Sequence, residues 1–254
     1  MRTLINSVDS IGAALAETVG FDRVYSPDRI EEAARADLDW VVATAVAPLA
    51  WATNRAPTQD LCAIRRLQEV MATCRIAHVT LISSCFLYPF PVGVDERHPI
   101  EPRLLRPYAR HRYELERWCQ RRWPTSVVRL PHVFGRACRS DVRNPTHDLA
   151  RLAALNPDSA TQHYDIDRLA GDLRVVARLA LPLVNLATPP LTNRRVLEDL
   201  LGMAPLPGAE AVRRVVRDVR TAHAAAFGGA GGYIESEAAT LDRIASYVSA
   251  IGGG

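Results

Sequence analysis

The stretch from His78 to Arg112 constrains this chain more than any other. It opens with His78-Val79-Thr80-Leu81-Ile82, a short apolar run rich in β-branched residues, which predicts a buried strand. Ser83-Ser84-Cys85 follows at the strand's end, and Tyr88 stands just beyond. A Pro-rich loop then leads to Tyr108-Ala109-Arg110-His111-Arg112 at the start of a helix. Tyr108 and Arg112 are four positions apart, so on a helix they share one face. A guanidinium beside a phenol favours the phenolate, and a phenol tuned in this way gives or takes a proton at a carbonyl or hydroxyl. The Ser84 hydroxyl is a donor for the same substrate oxygen. Serine at a strand end and tyrosine in a helix are each common in purely structural roles; their order and spacing make the combination informative.

A strand ending in Ser84, Tyr108 about two dozen residues later and a base four positions on resembles the Ser/Tyr/Lys centre of the extended short-chain dehydrogenase/reductase superfamily, the sugar-nucleotide epimerases and dehydratases. Arg112 stands at the lysine position. The resemblance implies an α/β fold, a doubly wound parallel sheet of Rossmann type with a small C-terminal substrate lobe. Residues 1–139 would form the core that carries the Ser/Tyr/Arg centre. Residues 140–254 would supply the remaining sheet elements and the lobe, in one integrated unit. It also implies catalytic roles for Ser84, Tyr108 and Arg112, an epimerase- or dehydratase-like activity on a polar or sugar-like small molecule, NAD or NADP as cofactor, and a homodimer formed through the helices near Pro57–Cys74 and Pro107–Gln120.

The N-terminal half follows the same pattern with departures. Arg2–Ile5 predicts a first strand, and Ala13–Thr18 an Ala-rich helix. Between them the superfamily has a G-x-x-G-x-x-G turn that holds the cofactor pyrophosphate at a helix N-terminus. Here Asn6 and Asp9 replace the first two glycines and Gly12 remains. Asn tolerates the left-handed conformation; the carboxylate of Asp9 carries the wrong charge for a pyrophosphate. Phe21–Tyr25 predicts a second strand, and Ser26-Pro27-Asp28 a turn into a helix over Arg29–Arg35, with Asp28 either a cap or a ribose-binding acid. Asp39–Thr44 predicts the next strand, with Ala43 near the cofactor. The short gap before it has no room for the strand and helix whose end usually holds the adenine. NAD or NADP binding is therefore expected to be weak or absent.

Ala45–Thr58 reads as a loop in which Trp51 and Asn54 line a ligand pocket, or Trp51 instead caps the core, and Pro57–Cys74 as an amphipathic helix. Ser126–Leu130 predicts a strand. Arg129 to Gly135 resembles the family's Arg-x-x-x-x-(Tyr/Phe)-Gly pattern, which contacts the nicotinamide end of the cofactor and the substrate. That likeness implies His132 as a cofactor contact and pocket residue, with Trp51, Cys85 and Phe134 also in the substrate pocket. A solvated loop histidine and a packed cysteine are the alternatives. Asn144–Ala154 predicts a helix, Gln162–Ala170 a strand and a helix positioned by Asp167, Pro182–Ala187 a strand, and Thr192 the cap of a helix ending at Gly202. Arg213–Arg220 reads as a solvated helix face, Phe227–Tyr233 as a flexible Gly-rich loop, and Glu235–Ile251 as a terminal amphipathic helix.

With 254 residues, 48% hydrophobic, the chain can bury a sizeable core, and a net charge of +3 is too mild to argue for nucleic acid. Its five cysteines lack metal spacing, so no metal is expected; scattered thiols with no leader and no membrane-length apolar run suggest a cytoplasmic protein. Three readings stay open. They are a conventional NAD(P)-dependent enzyme, a cofactor-independent isomerase, cyclase or lyase on the same fold, and a non-catalytic binding subunit.

Overall fold

The computed structural model describes residues 1–5, 10–44, 50–138 and 152–252. It divides into two compact units, Met1–Pro89 with Pro99–Arg129 and Ala170–Val184, and Phe90–His98 with Leu130–Leu169 and Asn185–Gly254. The expected boundary between residues 139 and 140 lies outside the described residues, as do Asn6 and Asp9 and most of the helix expected over Asn144–Ala154.

The first unit is built on a six-stranded parallel sheet. Its strands are β1 (Arg2–Ile5), β2 (Arg23–Tyr25), β3 (Asp37–Thr44), β4 (Arg75–Ser84), β6 (Thr125–Leu130) and β10 (Leu183–Asn185), in the spatial order β10-β6-β4-β3-β1-β2. The interior strands read as near-continuous apolar runs because a parallel sheet is covered on both faces. One face carries Ile5, Val41, Ala43, Val79 and Leu81. Helix α3 (Pro57–Thr73) packs Ile64, Leu67, Val70 and Met71 against it, and α4 (Pro107–Arg122) adds Leu115 and Cys119. Each such side chain contributes about 1.5–3 kcal/mol of transfer free energy. Leu4, Val42, Ile82 and Val128 alternate to the opposite face. Helix α1 (Ser10–Thr18) buries Gly12, Ala14 and Leu15.

β2 is the last strand on its side of the sheet, and the chain returns to β3 through a single 3-10 helix, Pro27–Ala33. No strand or helix pair intervenes. The helix expected over Arg29–Arg35 thus starts earlier and winds tighter, and Asp28 sits inside its first turn while Ser26 occupies the cap position. Residues 50–55, expected in a loop, form helix α2 (Ala50–Arg55).

The second unit holds three small sheets: β5 (Val92–Val94) with β12 (Asp218–Val219), β7 (His132–Phe134) with β9 (His163–Asp165), and β8 (Ala160–Thr161) with β11 (Leu191–Thr192). Its core gathers Phe134, Leu152, Leu191, Leu197, Ile244 and Tyr247. Arg213–Arg220 is extended rather than helical, because its backbone pairs with Ala160 and with the Pro91–Val94 segment. Thr192 does cap a helical segment, accepting from the Arg195 amide at 3.2 Å, and Gly202 ends it at φ +61°.

The Gly-rich loop is closely packed at Gly229 and Gly232. A Cβ on Gly229 would stand 2.0 Å from the Tyr233 carbonyl oxygen. Gly229→Ala is therefore expected to cost about 1–3 kcal/mol. Urea unfolding checks this, and an unchanged midpoint would show that the loop yields. Among the described residues no helix is long and apolar enough to cross a membrane.

Candidate active site

Ser84 closes β4 at the carboxyl end of the sheet, and its hydroxyl oxygen accepts from the Phe86 amide at 3.1 Å. This caps a short 3-10 turn, Cys85–Leu87, and leaves the hydroxyl proton for donation. Leu87 in that turn packs against Leu105 and Ala109, which seats the start of α4 beside the serine. Pro107 opens α4, and the Tyr108 amide, an orphan donor of the first turn, is taken by the Asn54 side-chain oxygen at 3.0 Å. Asn54 is thus an external cap of α4. Tyr108 is half-buried, with its ring edge-on to Phe86 at 6.5 Å.

Arg112 lies on the same face of α4, with its guanidinium carbon 4.3 Å from the Tyr108 ring centroid. It does not reach outward from the helix. Its side chain is 1% exposed and grips the Asp60 carboxylate of α3 with both Nη1 and Nη2, the second at 2.6 Å. His111 Nδ1 lies 2.6 Å from the same carboxylate. The Arg112 guanidinium is therefore held by an acid, itself in contact with a histidine, and the sequence singled out neither.

A second buried network ties the strand ends to α4. Ser83 donates to Glu116 at 2.6 Å, and Arg129 grips Glu116 through Nε (3.0 Å) and Nη2 (2.6 Å) while Nη1 donates to the Tyr88 hydroxyl at 2.8 Å. Burial alone would lower the Arg129 pKa, but the Glu116 carboxylate holds it above the usual arginine range. Cys85 is buried and donates weakly to the Arg129 carbonyl at 3.5 Å. Burial, with the nearby Glu116 charge, pushes the Cys119 thiol up to about 12. Ala43 is fully buried in β3, paired with Ile5 and Leu81. Gly12 is buried in α1. The side chain of Trp51 lies outside the described residues.

His132 and Phe134 lie in the second unit. His132 is on a strand and half-buried, so it is not a solvated loop residue; its ring stacks on His163, with centroids 6.0 Å apart. Phe134 is buried in the core of that unit, 5.8 Å from Tyr247. Asp165, not Asp167, caps the 3-10 turn before the helix Leu169–Arg178, while Asp167 pairs with Arg136 at 3.0 Å. Among the described residues, no group of three or more His, Cys, Asp or Glu is placed to hold a metal ion.

The histidine pair carries a pH signature. Burial, aided by His163 and Arg217, pushes His132 down to about 3, and burial pushes His163 down to about 4. Unfolded histidines take up protons below about pH 6.5 while the folded pair stays neutral. Stability is therefore full above that pH and falls as the pH drops from 6.5 towards 4. A loss on the order of 2 kcal/mol between pH 7 and pH 5 is expected in urea unfolding. His132→Phe/His163→Phe should flatten it, and an equally steep slope in that variant would place the effect elsewhere.

No family model matches the sequence, and no curated protein matches it. Solved structures do match in fold. A putative epimerase from Burkholderia cenocepacia J2315 is 17% identical over 100% of this chain and 98% of its own, with a TM-score of 0.71. The UDP-N-acetylglucosamine 4-epimerase from Methanobrevibacter ruminantium M1, in complex with UDP-N-acetylmuramic acid, is 12% identical over 98% and 96%, with a TM-score of 0.71. RMD from Pseudomonas aeruginosa, complexed with NADPH, is 16% identical over 98% and 99%, with a TM-score of 0.64. The chain shares the Rossmann-like α/β fold of these solved structures.

Proposed function

We propose that this chain is an enzyme of the short-chain dehydrogenase/reductase type that acts on a polar or sugar-like small molecule by acid–base chemistry centred on Tyr108. The observation that carries this reading is the seating of the first turn of α4 on the turn after Ser84, which brings a serine hydroxyl and a phenol to adjoining elements at the carboxyl end of the sheet. Ligands of open α/β sheets bind outside that end. In this reading Tyr108 gives or takes the proton, Ser84 donates to the same substrate oxygen, and Arg112 supports the ring from its face.

The fold family implies NAD or NADP, and a solved neighbour is complexed with NADPH. Gly12 and the small Ala43 are compatible with a dinucleotide. The end of the sheet at β2 is not, because no further strand lies beyond it among the described residues. Nor is Arg112, whose charge is committed to Asp60. Isomerisation, elimination or cyclisation is therefore favoured over net redox chemistry.

The test is a panel of sugar nucleotides and polyols incubated with the purified protein and followed by NMR, with and without added NAD and NADP. Conversion independent of dinucleotide is expected. Conversion that appears only with a dinucleotide would restore a redox enzyme, and binding without conversion of any member would favour a non-catalytic subunit.

A further inference from the structure

We infer that Asp60 is a positioning residue for Tyr108: by fixing the Arg112 guanidinium it sets where the phenol ring stands. The inference rests on the proposed role of Tyr108 and extends it to an acid on a different helix. Asp60 lies in the first turn of α3, on the stripe that otherwise supplies Ile64, Leu67 and Met71 to the core. Its side chain is 2% exposed. Both carboxylate oxygens are used, Oδ1 by Arg112 Nη2 at 2.6 Å and Oδ2 by Arg112 Nη1 and His111 Nδ1. Such a fork admits one orientation of the guanidinium plane. That guanidinium lies over the Tyr108 ring and reaches back to the Tyr108 carbonyl at 3.4 Å.

Stability alone does not call for this arrangement, since an apolar pair of similar volume usually serves a core as well as a buried ion pair does. What the ion pair adds is direction. The chain of contacts runs from α3 through Asp60 and Arg112 to the ring, and His111 holds Asp60 from the α4 side. Tyr108 is thereby held through its backbone by Asn54 and through its ring by Arg112 and Phe86.

The experiment places 3-fluorotyrosine at position 108 of the full chain and reads its fluorine NMR resonance, with thermal unfolding in parallel. It needs no substrate, so its outcome is separate from the success or failure of the turnover reading. Asp60→Asn, which keeps the shape but removes the charge, is expected to move the resonance by more than its linewidth or to split it into two states. Asp60→Glu should bring it part of the way back. Val70→Ala, further along α3, should lower the unfolding temperature and leave the resonance in place. If Asp60→Asn does not fold, Asp60→Leu/Arg112→Met provides a folded protein in which the resonance must again be displaced. A resonance at the wild-type position in folded Asp60→Asn, or in the double variant, would overturn the inference.

Discussion

Tyr108→Phe is expected to lower turnover by about a hundredfold or more while leaving thermal unfolding almost unchanged. The substitution removes the group that transfers the proton, and general acid–base catalysis contributes on that scale. It keeps the ring, and with it the edge contact to Phe86 and the seat above Arg112. Measured side by side on a substrate from the NMR panel, the two quantities should separate cleanly. A fully active Tyr108→Phe protein would rule out acid–base chemistry at this residue and every enzymatic reading built on it.

Arg112→Met should have the opposite signature, a large loss of stability. It leaves the Asp60 carboxylate buried with His111 as its remaining partner from the pair of α4 side chains that hold it. Breaking a buried pair on one side costs about 3–5 kcal/mol, whereas replacing both members with apolar residues is often near neutral. Asp60→Leu/Arg112→Met should therefore recover most of what Arg112→Met loses. Arg112→Lys keeps the charge but gives up the two-pronged grip, and should fall between. Urea unfolding of the three variants decides the point, and a wild-type midpoint for Arg112→Met would mean that the grip on Asp60 carries no net stability.

Much of this architecture is legible in the sequence because it follows from burial patterns. β1, β3, β4 and β6 show as apolar runs, and α3 and α4 as periodic stripes, since each must cover a sheet face. Ser84 and Tyr108 stand out as candidates through their order and spacing together with the family resemblance these carry. Long-range polar contacts do not. Asn54 caps a helix by accepting from an amide 54 residues later, and nothing near residue 54 announces it. α2 is too short to show a period. The Asp60–Arg112 pair did leave a trace: Asp60, Ile64 and Leu67 share one stripe of α3, and Arg112, Leu115 and Cys119 share one of α4. Opposite charges on two core-facing stripes are a signal for a buried ion pair. The basic run Arg213–Arg220 misled in the other direction, because charge density says nothing about whether a backbone will pair as a strand, as it does here with Ala160 and the Pro91–Val94 segment.

The central proposal is that this chain acts without a firm hold on a dinucleotide, and calorimetric titration with NAD, NADH, NADP and NADPH tests it most directly. Three features point the same way: the sheet that ends at β2, the commitment of Arg112 to Asp60, and the Asp9 carboxylate in the sequence where a pyrophosphate is usually received. Like charges about 4 Å apart repel by about 1 kcal/mol in water and more where water is excluded. The account predicts no dinucleotide affinity tighter than about millimolar, equivalent to roughly −4 kcal/mol, with Asn6→Gly/Asp9→Gly improving it. Micromolar binding to the wild-type protein, unimproved by the two glycines, would contradict the account and return the conventional redox enzyme to first place.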